Sequence, residues 1–573
     1  MIRLARMMNP WRVILTVVFL TIQVLGMLML PTITANIIDF GVAQGDINYI
    51  LRMGALMLGI TFLNIGAAGL NVYFSARESQ GLGERIRNKM YTIISYFSNE
   101  ELDQFGTSTL ITRSTNDVMQ IQFIMMLVLR MMIMAPIMMF GAGFMAYQRE
   151  PQLSAVFVIS IPLLAVMLGL ILKYASPYFR SLQVKTDRLN RVFREGLTGI
   201  RVIRAFNTSK HEEERFDEAN KDFRNTAIKG FTIMGFLMPS MTFAISITNI
   251  LIISFGSQLI STGDMQVGNL VAFLTYAMQI LIGVMNVSMV LFFLPRGQVA
   301  AERIIEVLDS PKSILDPEKP KEVDTDQDVS LEFDHVDFRY TGAEKLALED
   351  IHFSAKKGET VAIIGGTGSG KTTLSNLVLR LYDIESGAIK INGVDIRDIT
   401  QNQLRDRIGY APQKALLFSG TIRENMQYGK PEATDEEIWH ALEIAQGADF
   451  VSQLPEGLDS RVEQGGSNFS GGQRQRLSIA RALVTQADIY IFDDSFSALD
   501  FKTDAKLRQA LKPETTDSIV LLIAQRINTV IDADTILVLD NGQLVGKGTH
   551  EELKATNPVY QDIMESQMKG ETI

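Results

Sequence analysis

The sequence predicts a multidomain membrane protein: a six-helix transmembrane domain with long cytoplasmic helical extensions, followed by an α/β P-loop domain. Three observations predict it. Apolar residues gather in the first half in runs long enough to cross a bilayer, a charged, proline-bearing stretch interrupts the chain after Leu308, and a glycine-rich phosphate loop follows a short apolar strand in the second half. A chain of 573 residues exceeds one ordinary domain, and 47% of it is hydrophobic. The absence of cysteine excludes a disulfide framework, a thiolate zinc cluster and a thiol nucleophile, and points to a cytosol-facing protein. A net charge of -10 argues against a nucleic-acid partner, whose phosphates require a basic stripe.

The apolar runs are 12–38, 50–73, 123–147, 153–174, 230–260 and 270–294. Each reaches or exceeds the ~20 residues that span ~30 Å of hydrocarbon, so six crossings are expected. The first run is too long for a signal-peptide core and lacks a small-residue cleavage site, which makes it an uncleaved helix behind the basic lead "MIRLARMMNPWR". The connectors near "GVAQGDIN", "QREPQ" and "STGDMQ" are short and poor in cations. Segments 75–122 and 175–229 are long and rich in Lys and Arg, which assigns them to the cytoplasm. Leu82, Ile86, Met90, Ile93 and Phe97 recur at helical spacing, so the membrane helices are expected to continue as stalks. Breaks at "NEELDQFGTS" and "EGLTGIRVIRAFNTSKHEE" would let short helices cross the stalk tips.

The transmembrane domain is accordingly 1–308, and the stretch "DSPKSILDPEKPKEVDTDQD" makes 309–328 a linker. From 329 to 573, β-rich runs such as "VSLEFDHVDF", "TVAIIG" and "IYIFDD" alternate with helical stretches, the pattern of a largely parallel α/β sheet. "GGTGSGKTT" comprises Gly365, Gly366, Thr367, Gly368, Ser369, Gly370, Lys371, Thr372 and Thr373. Its glycines let backbone N–H groups turn toward phosphate oxygens, Lys371 supplies a point charge, and Thr372 offers a hydroxyl to Mg²⁺. Such a loop needs an acid at the end of a neighbouring apolar strand, and Asp493 meets that need as a metal-shell ligand. The domain 329–573 therefore reads as a nucleotide-binding domain.

Between those two strands lies "NFSGGQRQRLSIARAL". Together, "GGTGSGKT", "FSGGQRQR", "IYIFDD" and "SALD" resemble the nucleotide-binding domain of an ATP-binding cassette (ABC) transporter, and with the six crossings and long stalks the whole chain resembles an exporter half-transporter. The resemblance implies ATP and Mg²⁺ as cofactors, a bilayer, and a multi-pass protein of a cell membrane, bacterial in type, with its nucleotide-binding domain in the cytoplasm. It also implies a second half-transporter docked head to tail. Phe469, Ser470, Gly471, Gly472 and Gln473 would then face the partner's ATP, with Asp500 closing the "SALD" loop across the dimer. Tyr340 matches the residue that stacks on adenine, a contact worth ~1 to 3 kcal/mol. Gln413 matches the glutamine that joins Thr372 and Asp493 around Mg²⁺, and the stalk tips at 105–111 and 199–206 are expected to pack near it.

Two positions depart from that family's pattern. Asp494 stands where a catalytic Glu is usual, and Gln525 where a switch histidine is usual. Asp is shorter by one methylene, and misplacement of about 1 Å in such a site costs ~10²-fold. Gln cannot supply an imidazole's proton or charge. The expectation is a heterodimer resembling the degenerate-site subunit of bacterial multidrug exporters: this chain's own site hydrolyses poorly and its intact signature serves the partner. The 28 Met residues suit a surface that repacks around amphipathic or hydrophobic small molecules, although Met also fills ordinary core and lipid-facing positions. A lipid or lipid-linked substrate, or a nucleotide-gated channel or regulator, are the alternatives. Arg130, Asn64, Asn71, Asn249, Gln279 and Asn286 are candidate pathway residues or simple interhelical hydrogen-bonding groups.

Overall fold

Six helices carry the apolar runs: Pro10–Val42, Ile47–Ile94, Thr107–Arg149, Ala155–Thr198, Ser209–Ser261 and Val267–Leu308. At ~1.5 Å per residue the shortest is ~50 Å long, beyond the ~30 Å of hydrocarbon. The third loosens into π-helical turns at Arg113–Asp117 and Val128–Met132, and Arg130 lies half-buried in the second of these. This computed structural model describes residues 1–324 and 327–570. Residues 325 and 326 of the expected linker, and 571–573, lie outside the described residues. The chain divides into two compact units, Met1–Ile94 with Ser108–Asp309, and Ser95–Thr107 with Ser310–Ile573.

In the membrane unit, Leu20, Val24, Leu28, Met138, Phe157, Phe273, Tyr276 and Ile280 form one buried cluster. Small residues let the helices close: a β-carbon at Gly141 would come 2.4 Å from Leu28, and one at Gly283 would come 2.5 Å from Met139. The interior polar groups mostly tie helix to helix. Thr32 and Tyr276 share a 2.6 Å hydrogen bond, Asn71 Nδ2 donates to the Thr16 carbonyl at 2.9 Å, and Gln279 Nε2 donates to the Met27 carbonyl at 3.3 Å. Asn71 and Gln279 thus serve interhelical bonding. Asn64 is buried and its Oδ1 has no partner among the described residues, while Asn249 and Asn286 are half-buried. At one stalk, fully buried Glu78 pairs with Arg12 and Arg85 and accepts the Asn9 N–H, anchoring the N-terminal lead.

The second unit contains strands β1 (Ser330–Phe338), β2 (Leu348–Lys356), β3 (Thr360–Gly365), β4 (Ser386–Ile391), β5 (Val394–Asp395), β6 (Ile408–Ala411), β7 (Ile489–Asp493), β8 (Ile519–Ile523), β9 (Thr535–Asp540) and β10 (Gln543–Gly548). They form a sheet in the order β5-β4-β1-β2-β10-β9-β3-β8-β7-β6. The side β9-β3-β8-β7-β6 is parallel, and its strands are apolar because both faces are covered. The β1, β2 and β4 edge is antiparallel, with alternating burial. β3 and β7 lie on either side of β8, so their C-terminal ends deliver the phosphate loop and Asp493 to one edge of the parallel sheet.

Candidate nucleotide site

The phosphate loop leaves β3, whose Val361–Ile364 side chains are fully buried, and enters helix α1 (Lys371–Val378). Glycine is required by the geometry at two points: Gly370 has φ +100°, and a β-carbon at Gly365 would lie 2.2 Å from the Leu539 carbonyl oxygen. Lys371 folds over its own loop, donating to the Gly365 and Gly366 carbonyls at 2.9 and 2.7 Å. Burial pulls the Lys371 ammonium down, opposed by the charges of Asp494 and Asp493. The Ser369 hydroxyl is buried and without a partner among the described residues, an orphan donor inside an anion cradle.

Asp493 ends β7 and is 1% exposed. Thr372 Oγ1 donates to its Oδ1 at 3.2 Å, and Ser375 Oγ lies 3.5 Å from Oδ2. Burial raises the Asp493 carboxyl, an effect that a cation bound there would reverse. The next residue, Asp494, takes the left-handed conformation with φ +47°. Its Oδ2 accepts from Gln413 Nε2 at 3.1 Å and from Gln525 Nε2 at 2.8 Å. Burial also raises Asp494, against hydrogen bonds that lower it. Tyr340 shares a 2.8 Å hydrogen bond with Thr373 and stands edge-on to Phe338 and Tyr382. Tyr340, Thr367, Gly368, Gly370, Lys371, Thr372, Thr373, Gln413, Asp493, Asp494 and Gln525 together line a cavity of about 670 Å³. That volume lies within the range of small-molecule and cofactor sites. The cationic loop and the paired Thr372–Asp493 donor set fit a nucleoside triphosphate with Mg²⁺.

The signature residues lie elsewhere on this unit, and none of them lines that cavity. Ser470 caps helix α2 (Gly471–Val484): its hydroxyl accepts the Gln473 N–H at 3.3 Å, while Gln473 Oε1 accepts the Ser470 N–H at 2.9 Å. Phe469 is buried beneath the cap, and Gly471 is exposed. Asp500 caps helix α3 (Phe501–Glu514), accepting from the Thr503 N–H and hydroxyl, which hold its carboxyl below the usual range.

The short helix Asn99–Phe105 precedes the expected stalk tip at 105–111, and its polar contacts run to Leu381, Tyr382, Thr341 and Ser313. The Asn99 N–H donates to the Leu381 carbonyl at 3.3 Å, Tyr382 OH to Asp103 at 2.9 Å, Thr341 to Glu100 at 2.7 Å, and the Ser313 N–H to Glu101 at 2.6 Å. Tyr382 therefore touches both Tyr340 and this helix. Its only sequence signal is an aromatic residue just beyond the helix that opens at Lys371, whereas the helix itself carries the capping-box signature in Ser98 and Glu101. In the second tip, Ile200–Ala205 has no buried residue and Phe206 is exposed.

Two family models match the chain, the ABC transporter transmembrane region over residues 13–285 and the ABC transporter domain over 348–497. An uncharacterized ABC transporter ATP-binding protein of Mycobacterium tuberculosis is 42% identical, over 96% of this chain and 95% of its own. Two relatives at 32% identity have named substrates or roles. One is a fatty acid ABC transporter ATP-binding/permease protein of Mycobacterium bovis, matched over 83% of this chain and 74% of its own. The other is a probable multidrug resistance ABC transporter ATP-binding/permease protein of Bacillus subtilis, matched over 89% of this chain and 88% of its own. The fold resembles a solved bacterial Atm1-family ABC exporter with ATP bound, with a TM-score of 0.79 over 97% of both chains at 24% identity.

Proposed function

This chain belongs to the ABC transporter family, as a multi-pass exporter whose ATPase domain faces the cytoplasm, and from that premise we propose that it is the hydrolytically weak half of a heterodimer that exports amphipathic or hydrophobic small molecules. The observation that carries the proposal is the double occupation of Asp494 Oδ2 by Gln413 and Gln525. A residue that polarises an attacking water needs reach and a free acceptor. Asp494 is one methylene short, and two amides engage Oδ2, one of its two carboxylate oxygens. Gln525 contributes an N–H toward a terminal phosphate but no proton or positive charge.

In this reading Lys371, Thr372 and Asp493 still hold ATP and Mg²⁺, and Tyr340 stacks on the base. Ser470, Gly471, Gly472, Gln473 and Asp500 are displayed away from the chain's own cavity, as a signature serving a second chain requires. Phe469 packs beneath them. The multidrug assignment of the substrate rests on the Bacillus subtilis relative and on the Met-rich membrane helices. The equally similar fatty acid relative supports the second reading, a lipid-type substrate. Proteoliposome transport distinguishes them: ATP-dependent movement of several unrelated amphipathic cations and neutral dyes supports the first, and movement of acyl chains alone supports the second.

A further inference from the structure

Three side chains on β1 and β2 bring metal-binding atoms together outside the nucleotide cavity. We propose that His335, Asp350 and His352 form a surface site for one zinc-type divalent transition-metal ion. One ligand atom from each residue lies within 4.8 Å of the other two. The chain has five histidines in all, so two of them share this one spot.

The backbone accounts for the convergence. β1 and β2 pair antiparallel, with register shifts between Phe333 and Val336 and between Val336 and Phe338. His335 and Asp350 take left-handed φ values of +49° and +51° beside those irregularities. A bulge re-aims the side chains it carries, and non-glycine residues adopt this conformation uncommonly. The Asp350 N–H donates to Asp337 Oδ1 at 2.8 Å, which fixes the irregular turn.

The donor chemistry is also prepared. His352 Nδ1 lies 3.1 Å from the Asp350 carbonyl oxygen. A proton directed to that oxygen leaves Nε2 as the lone-pair donor, the arrangement usual for a metal-bound histidine. His335 Nδ1 stands 2.5 Å from Asp350 Oδ1, and the His335 and His352 rings are 5.2 Å apart and inclined by 29°. Zinc binds nitrogen and carboxylate oxygen at ~2.0 to 2.2 Å, which sets neighbouring ligand atoms ~3.3 Å apart. The His335–Asp350 pair already lies inside that spacing, and all three side chains are exposed. Two imidazoles and one carboxylate favour zinc, nickel, cobalt or copper over Mg²⁺. The filled site would clip β1 to β2, and β1 leads within two residues to Tyr340.

The test is a Co²⁺ titration of the untagged, full-length transporter, without nucleotide and in excess Mg²⁺, followed by the visible d–d absorption of the bound ion and its displacement by Zn²⁺. The expected result is one saturable equivalent per chain. His335→Ala and His352→Gln should each weaken it by at least ~10-fold, with basal ATPase unchanged in Mg²⁺ buffer free of transition metals. A saturable equivalent that persists unaltered in the His335→Ala/His352→Gln double variant would place the metal elsewhere and overturn the proposal. Absence of any saturable Co²⁺ would reduce the trio to an exposed ion pair with a neighbouring imidazole.

Discussion

Gln525 Nε2 donates to Asp494 Oδ2 over 2.8 Å, so the two residues that depart from the ABC pattern are bonded to each other. Their effects on hydrolysis are therefore coupled, as expected for residues in contact. In a complex whose partner site is inactivated, Asp494→Glu with Gln525→His should raise the residual ATPase ~10- to 100-fold. Each single change should give less than half of that gain on a logarithmic scale. No gain from the double variant would show that another feature limits this site.

Lys371 holds its charge inside the phosphate loop against a burial that disfavours it, and an incoming phosphate would replace the Gly365 and Gly366 carbonyls as its partner. Lys371→Ala should weaken nucleotide binding at this chain's site at least ~10-fold, the equivalent of ~1.4 kcal/mol. Site-resolved photolabelling with an azido-ATP checks it. Turnover at the partner site should persist, and any slowing there measures coupling between the sites.

Tyr382 joins the edge of the Tyr340 ring to Asp103 on the helix Asn99–Phe105. Tyr382→Phe keeps the ring and removes the hydroxyl donor. Transport per ATP hydrolysed should fall ~2- to 5-fold while the KM for ATP stays the same, consistent with loss of one hydrogen bond of ~1 kcal/mol. An altered KM with unchanged coupling would assign Tyr382 to the nucleotide alone.

Glu101 anchors the same helix. Burial alone would raise its carboxyl, but hydrogen bonds from Ser98 and Ser313 outweigh it and hold the group below the ordinary glutamate range. The anchoring is thus present above the ordinary value of about 4.3 and is lost as pH falls through the lowered folded value. Hydrogen exchange across 99–105 should be protected at neutral pH. Glu101→Gln should remove about 1 to 3 kcal/mol of that protection.

Long apolar runs, the phosphate loop and the strand-end acids were readable because each obeys a local rule of period, length or spacing. The helix ends were less so. The third span begins at Thr107, sixteen residues before its apolar run, because a polar stalk carries no hydropathy signal. The apposition of Gln413, Asp494 and Gln525 joins residues 31 and 81 positions apart and exists only once β6, β7 and β8 lie side by side. Tyr382 and Thr341 escaped for the same reason, since their roles come from contact with a helix some 240 to 280 positions earlier. The cluster of His335, Asp350 and His352 depends on the register of two irregular strands, which alternation alone does not specify.

If the competent ATP site is built from this chain's signature and a partner's phosphate loop, steady-state ATPase of the purified complex carrying Asp494→Asn or Ser470→Arg reads it directly. Asp494→Asn should lower the rate less than ~3-fold and Ser470→Arg ~10²-fold or more, because an arginine at the cap of α2 would collide with the partner's nucleotide. A homodimer of this chain that turns over ATP briskly and loses that activity with Asp494→Asn would contradict it and make Asp494 the working catalytic residue.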